Sequence, residues 1–290
     1  MADAPALLLI AHGTRDPRGA PEMAELVGLL SERHGGPVAA SWLEDFAEPD
    51  AATAAAELTR LGATRIVTVP FLVLGAYHAK TDVPAAVAQA KAACPQVEFA
   101  HGRVLGLHPA LFALARLRVD AASPPADRDG EVLVVAGSGS SDPDANADLA
   151  KAARFLAEGT GHRRVEHCFA GVTWPTPAEA LERASAAGAR SAVVFSWSLL
   201  GGLLEQRVAD AASAVSSSVG LDIALAGRFG PHPLLAEAVL DRVREALEGD
   251  ARMNCDLCAH RVPLPGLERR VGAPSAGGTA SRADGATGLR

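Results

Sequence analysis

The chain has 290 residues and a mass of 29.7 kDa, which at roughly 150 residues per domain suits one large domain or two modest ones. Hydrophobic residues make up 49% and charged residues 21%, a balance that can bury a core and excludes a chain disordered throughout. The 34 acidic residues outnumber the 27 basic ones for a formal charge of −7, which argues against a general nucleic-acid or anionic-membrane binder.

No apolar run reaches the about 18–20 residues of a membrane helix. The opening Met1-Ala-Asp-Ala-Pro5 lacks the basic n-region of a secretory leader, so a cytoplasmic protein is expected. Cys94 and Cys168 stand alone, whereas Cys255 and Cys258 form a C-x-x-C. In a reducing compartment such a pair points to metal or redox chemistry more than to a structural staple.

In chain order, apolar runs at 6–11, 38–43, 65–72 and 97–100 are too short for helices and rich in Val, Ile and Leu, as buried strands are. Between and after them, 21–33, 50–61, 82–92 and 109–119 carry helical spacing. Strand–helix alternation of this kind predicts βαβ units and a parallel sheet covered on both faces. After a polar, Pro-rich seam at 121–130 the pattern returns. Strands are expected at 131–136, 165–169, 192–197 and 223–226, and helices at 144–158, 177–187, 203–215 and 233–247.

The halves match in detail. Asp16-Pro17 and Asp142-Pro143 are 126 residues apart, as are Gly62-Ala63 and Gly188-Ala189. Gly102-Arg103 and Gly227-Arg228 are offset by 125, and His108-Pro109 and His232-Pro233 by 124. A nearly constant offset reads as an internal duplication. The expected domains are 1–123, 130–249 and a tail of 250–290, whose stretch beyond Val271 has the composition of a disordered segment.

Ligands of open α/β sheets bind beyond the carboxyl ends of the strands. The loop after the first strand carries His12 and the loop after the third carries His78, so parallel pairing brings the two histidines to one edge. Glu44, ending the second strand, reaches the same edge. A lone loop histidine is more often a hydrogen-bonding residue than a ligand, but two on one edge suit a divalent metal or proton transfer. The duplication is an internal control. The second half has Gly137 or Ser138 at the place of His12 and Leu204 at that of His78. His108 and His232, by contrast, persist in both halves, each before a Pro at an expected helix start, and read as structural caps. His101 is left undecided between the two roles.

The strand followed by His12-Gly-Thr-Arg-Asp-Pro-Arg18, the Trp42-Leu-Glu44 strand end, the segment Val69-Pro-Phe-Leu-Val-Leu-Gly-Ala-Tyr-His78 and the duplication resemble the CbiX/SirB-type class II chelatases. The resemblance spans about residues 6–248 and extends to 252–272. It implies an α/β fold of two duplicated four-stranded parallel-sheet lobes, chelatase-like and flavodoxin-like, with the active site in the cleft between them. It also implies a sirohydrochlorin substrate and a divalent metal, Co2+ or Fe2+, held by His12 and His78 with Glu44 as acidic neighbour. Such groups can hold a hydrated ion and take up the pyrrole protons.

Arg15, Arg18, Ser138, Ser140 and Ser141 are candidates for the macrocycle's carboxylates, against the plainer reading of solvated loop residues. Gly137-Ser-Gly-Ser-Ser141 follows a strand as a phosphate loop does, but it lacks the Lys of one. The tail motif Met253-Asn-Cys-Asp-Leu-Cys258 is similar to the extension of the cobaltochelatase branch, where it accompanies an iron–sulfur centre. A cluster needs four thiolates and this motif supplies two, so a homodimer would complete it; two free tail thiols is the bland alternative. The tail directs the reading to a cobaltochelatase of cobalamin biosynthesis. The alternatives are a ferrochelatase of siroheme biosynthesis, a non-catalytic metal or tetrapyrrole carrier, and an oxidoreductase working through the C-x-x-C.

Overall fold

A computed structural model describes residues 4–44, 47–125, 128 and 130–249. The first half forms β1 (Ala6–Ala11), α1 (Gly19–His34), β2 (Val38–Trp42), α2 (Ala51–Arg60), β3 (Arg65–Phe71), α3 (Tyr77–Lys80), α4 (Asp82–Ala93), β4 (Glu98–His101) and α5 (Pro109–Ala122). The second forms β5 (Glu131–Gly137), α6 (Pro143–Thr160), β6 (Arg164–Phe169), α7 (Pro177–Ala186), β7 (Ser191–Ser196), α8 (Leu203–Val219), β8 (Asp222–Gly227) and α9 (Pro233–Glu248). Each half makes a four-stranded parallel sheet, in the orders β2-β1-β3-β4 and β6-β5-β7-β8. The expected strands and helices are all present, within a few residues of the expected ends. The difference is α3, a turn of helix in a segment read as open loop.

Strand β1 is apolar from end to end, and β5 is apolar after Glu131, because both their faces are covered. Along β1, Leu7, Leu9 and Ala11 enter one core, and Ala6, Leu8 and Ile10 enter another on the opposite face. In β5, Leu133 and Val135 join the same core as Leu7 and Leu9, while Val132, Val134 and Ala136 face outward into a third. One continuous core therefore runs between the two sheets, and each sheet carries a second core on its far side.

The last helix of each half crosses over. Helix α5 packs on β7 and β8 of the second sheet, and α9 on β3 and β4 of the first. The crossing is fixed by polar contacts to backbone ends. Arg242 of α9, buried, donates to the carbonyls of Val104 (3.0 Å) and Leu105 (2.5 Å). Arg118 of α5 donates to the carbonyl of Phe229 at 2.8 Å. As the sequence implied, His108 and His232 are helix caps: each Nδ1 accepts an amide N–H, from Ala110 and Leu234 respectively, at 3.1 Å.

Loops beyond the carboxyl ends of one sheet touch those of the other. Lys80 pairs with Asp142 at 2.6 Å, and Thr14 donates to the carbonyl of Gly201 at 3.3 Å. Arg228 pairs with Glu22 across the halves and with Glu205 at 2.5 Å. Among the described residues no helix is long and apolar enough to cross a membrane.

Candidate active site

Because β1 lies between β2 and β3 in the sheet, the residue after β1 has the ends of β2 and β3 as neighbours on its two sides. The order 2-1-3-4 also makes the β1/β3 pair the point where chain winding reverses, the usual ligand position in open α/β sheets. His12 follows β1 and His78 lies on α3 beyond β3. The strand pairing continues past β2: the N–H of Leu43 donates to Ala11 O (2.9 Å) and that of Glu44 to His12 O (3.2 Å). Glu44 is thereby pinned beside His12. Gly13, at φ 107°, turns the chain sharply away just after His12, a conformation that favours glycine.

His12 Nε2 lies 2.9 Å from His78 Nε2 and 3.4 Å from Glu44 Oε1. The ligand atoms of all three residues fall within 4.8 Å of one another. His12 and Glu44 are both partly exposed, so solutes reach them. A partner fixes the tautomer of His78. His78 Nδ1 is 2.5 Å from Asp82 Oδ2, and His12 Nδ1 is 3.2 Å from the carbonyl of Gly13. A carboxylate only accepts, so His78 Nδ1 carries hydrogen and the Nε2 lone pair of His78 faces His12. The two Nε2 atoms at 2.9 Å, with a carboxylate oxygen beside them, form a donor set for a metal ion.

The hydrogen-bond pattern settles the repeat equivalence. Phe169 N donates to Pro175 O (2.8 Å) as Trp42 N donates to Pro49 O (3.0 Å), and Ala170 N donates to Gly137 O (2.8 Å) as Leu43 N donates to Ala11 O (2.9 Å), so Gly137 corresponds to Ala11 and Ser138 to His12. Gly139, at φ 81°, then matches Gly13, and the exposed Ser138 stands where the first half has its imidazole. Leu204, at the place of His78, is buried in that half's outer core.

The other candidates are placed as follows. Arg18 is held bidentately by Asp16 (3.0 and 2.7 Å) and approaches Glu205 at 3.3 Å, so its guanidinium is already engaged. Arg18 in turn holds the Asp16 carboxyl down at about 2. Arg15 is exposed on the same loop. Ser140 accepts the N–H of Asp142 at 3.0 Å, shaping its own loop, and Ser138 and Ser141 are exposed beside it. Cys255 and Cys258 lie outside the described residues. Cys94 and Cys168 are buried; burial pushes the Cys168 thiol up to about 12, which removes it from thiolate chemistry. His101 accepts or donates at Nδ1 with Thr68 Oγ1 (2.8 Å) away from the other two histidines.

Sequence reading missed Asp82, although the spacing His78-x-x-x-Asp82 was there to see. It also passed over large apolar side chains on the facing loops. Val172 is 76% exposed, Trp174 78%, Leu203 71% and Tyr77 42%. Val172 holds a φ of 66°, strained for a β-branched residue. The Tyr77 ring stands edge-on to His78, with centroids 5.9 Å apart.

The model of the CbiX family matches residues 6–122 and again 132–246. The chain belongs to the CbiX family of chelatases. It is 32% identical over 262 residues to a sirohydrochlorin cobaltochelatase of Priestia megaterium, across 89% of this chain and 85% of that one. A sirohydrochlorin ferrochelatase of the same species is 27% identical over 242 residues, covering 83% and 90%. The crystal structure of the sirohydrochlorin chelatase SirB from Bacillus subtilis subspecies spizizenii in complex with cobalt superposes with a TM-score of 0.69 at 25% identity, over 84% of this chain and 96% of that one. The two-lobed parallel α/β architecture is thus that of a chelatase.

Proposed function

We propose that this chain inserts a divalent metal into sirohydrochlorin, and that the metal is Co2+. One observation carries the reading: the convergence of His12 Nε2, His78 Nε2 and Glu44 Oε1 at the mouth between the sheets, with both outer imidazole nitrogens occupied by acceptors. Imidazole nitrogens about 2.0–2.1 Å from one ion and at about a right angle are about 2.9–3.0 Å apart. The 2.9 Å separation found between the two Nε2 atoms fits that edge.

In this reading the two imidazoles take the ion as it sheds water. Glu44, beside them, accepts protons as the pyrrole N–H groups are lost, so that two protons leave for each metal inserted. The exposed faces of Trp174, Val172, Leu203 and Tyr77 offer apolar surface for the flat macrocycle. Arg15, Ser138 and Ser141, exposed on the loops after β1 and β5, are proposed to meet its carboxylates. Arg18 and Ser140 serve there only if the substrate displaces their present partners.

Cobalt is favoured by the higher identity to the cobaltochelatase and by the M-x-C-x-x-C tail; the ferrochelatase likeness keeps Fe2+, for siroheme, as the second reading. Cys255 and Cys258 are proposed to hold an iron–sulfur centre shared between two copies of the chain. The reaction is assigned to the cytoplasm, where such thiols stay reduced. An anaerobic absorbance assay of the purified protein with sirohydrochlorin and Co2+, Fe2+ or Ni2+ in turn tests the proposal. Catalytic turnover fastest with Co2+ is expected. Turnover with Fe2+ alone would select the second reading, and stoichiometric binding without product release would identify a carrier.

A further inference from the structure

We propose that Asp82 is a positioning residue, which holds hydrogen on His78 Nδ1 and so keeps the Nε2 lone pair of His78 aimed at His12 and Glu44. The turnover part of this inference rests on the chelatase reading; the tautomer part does not.

Asp82 Oδ2 lies 2.5 Å from His78 Nδ1. Its other oxygen, Oδ1, lies 3.1 Å from Thr81 Oγ1, whose hydrogen it shares with the carbonyl of Tyr77 at 2.8 Å. The carboxylate is thus gripped on both sides. Asp82 also opens α4, where the helix N-terminus favours a negative charge. A neutral imidazole has one hydrogen to place, and a carboxylate beside Nδ1 decides where it goes. Carboxylates in this position behind metal-binding histidines fix ring orientation and raise ligand basicity.

The duplication supplies independent support. With the offset of 126 that places Leu204 at His78, Val208 stands at Asp82. Leu204 and Val208 are both buried in the outer core of the second sheet. The half that lost the imidazole lost the carboxylate too and put an apolar pair in the place of both. Helix α8 runs unbroken from Leu203 to Val219 there, so that half has neither the break at Thr81 nor the helix start that Asp82 occupies.

The experiment compares the full-length chain with Asp82→Ala and Asp82→Asn. Long-range 1H–15N spectra of the metal-free proteins report the His78 tautomer, the resonance being identified by its absence in His78→Ala. Titration with Co2+ followed by visible absorbance reports affinity, and steady-state assays separate KM for Co2+ from KM for sirohydrochlorin. The wild type should show hydrogen on Nδ1 of His78. Asp82→Ala should move it to Nε2, and Asp82→Asn should give a mixture. Co2+ affinity should fall 10- to 100-fold, with KM for Co2+ raised and KM for sirohydrochlorin unchanged.

If Asp82→Ala unfolds, the Asn variant, equal in size, decides. Retention of the Nδ1–H tautomer with Co2+ affinity within twofold of wild type would overturn the proposal. Absence of turnover in the wild type would instead sink the chelatase reading, and the tautomer and Co2+ titration would still judge Asp82.

Discussion

At the scale of single residues, the two cleft histidines differ from the other described histidines in having Nε2 atoms that face each other. His12→Ala and His78→Ala are each expected to lower metal insertion by about 10²–10⁴-fold, with the thermal transition little changed, because both side chains are partly exposed. His232→Ala, which removes a helix cap, should leave turnover near normal and reduce stability by about 1 kcal/mol. Rates near wild type for either cleft variant would remove the proposed mechanism. His101 makes a different prediction. Burial, helped by the charge of Lys91, pushes its imidazole down to about 4 from the usual 6.5. The native state therefore stays neutral there while the unfolded chain takes up a proton as pH falls below about 6.5. Stability should drop between pH 6.5 and 4 and be flat above. Urea midpoints at pH 7 and 4.5 should differ less in His101→Gln than in wild type; equal differences would show that His101 does not titrate this way.

At the scale of elements, the strands and long helices were legible because a strand covered on both faces must be apolar without interruption. The turn α3 was not. Four residues leave no periodicity to detect, and the spacing His78-x-x-x-Asp82, visible in the sequence, takes its meaning from that turn. The exchange of α5 and α9 was equally hidden, since an apolar helix stripe is satisfied by any apolar sheet face and does not name which. The exchange carries a consequence for folding. Residues 1–123 alone would leave α5 without the strands it packs on and the inner face of the first sheet without α9. That fragment is expected to bind a hydrophobic dye and to lack a cooperative thermal transition. A fragment with a sharp transition and native-like helix content would show that the first repeat is an independent unit.

At the scale of the molecule, one core is common to both sheets, with Leu7 and Leu9 contributing from one side and Leu133 and Val135 from the other. Chemical unfolding of residues 1–249 should accordingly be a single transition, the same by tryptophan fluorescence and by circular dichroism. Truncation after Gly249 is also expected to leave turnover intact, because His12, Glu44, His78 and Asp82 and both four-stranded sheets lie upstream. Anaerobically purified full-length protein should show broad visible absorbance that Cys255→Ser or Cys258→Ser abolishes, with dimerisation weakened if two copies share the centre. A colourless preparation would leave two free thiols. A truncated protein that folds but does not turn over would put the tail in the active site.

The sequence by itself determined the class of fold, the duplication and the meeting of His12 with His78. These follow from apolar runs, a constant offset and the rule that parallel strands bring their carboxyl ends to one edge. It also separated the capping histidines from the cleft pair, because the caps were duplicated and the pair was not. Only the tertiary structure decided which groups stand behind those histidines, that Arg18 is engaged by Asp16 and Glu205, and that the last helix of each repeat belongs to the other sheet. The physical reason is one of range. Periodicity is fixed by neighbours along the chain, whereas a side chain's or a helix's partner depends on atoms within a few ångströms that lie far away in sequence, as Glu205 does beside Arg18.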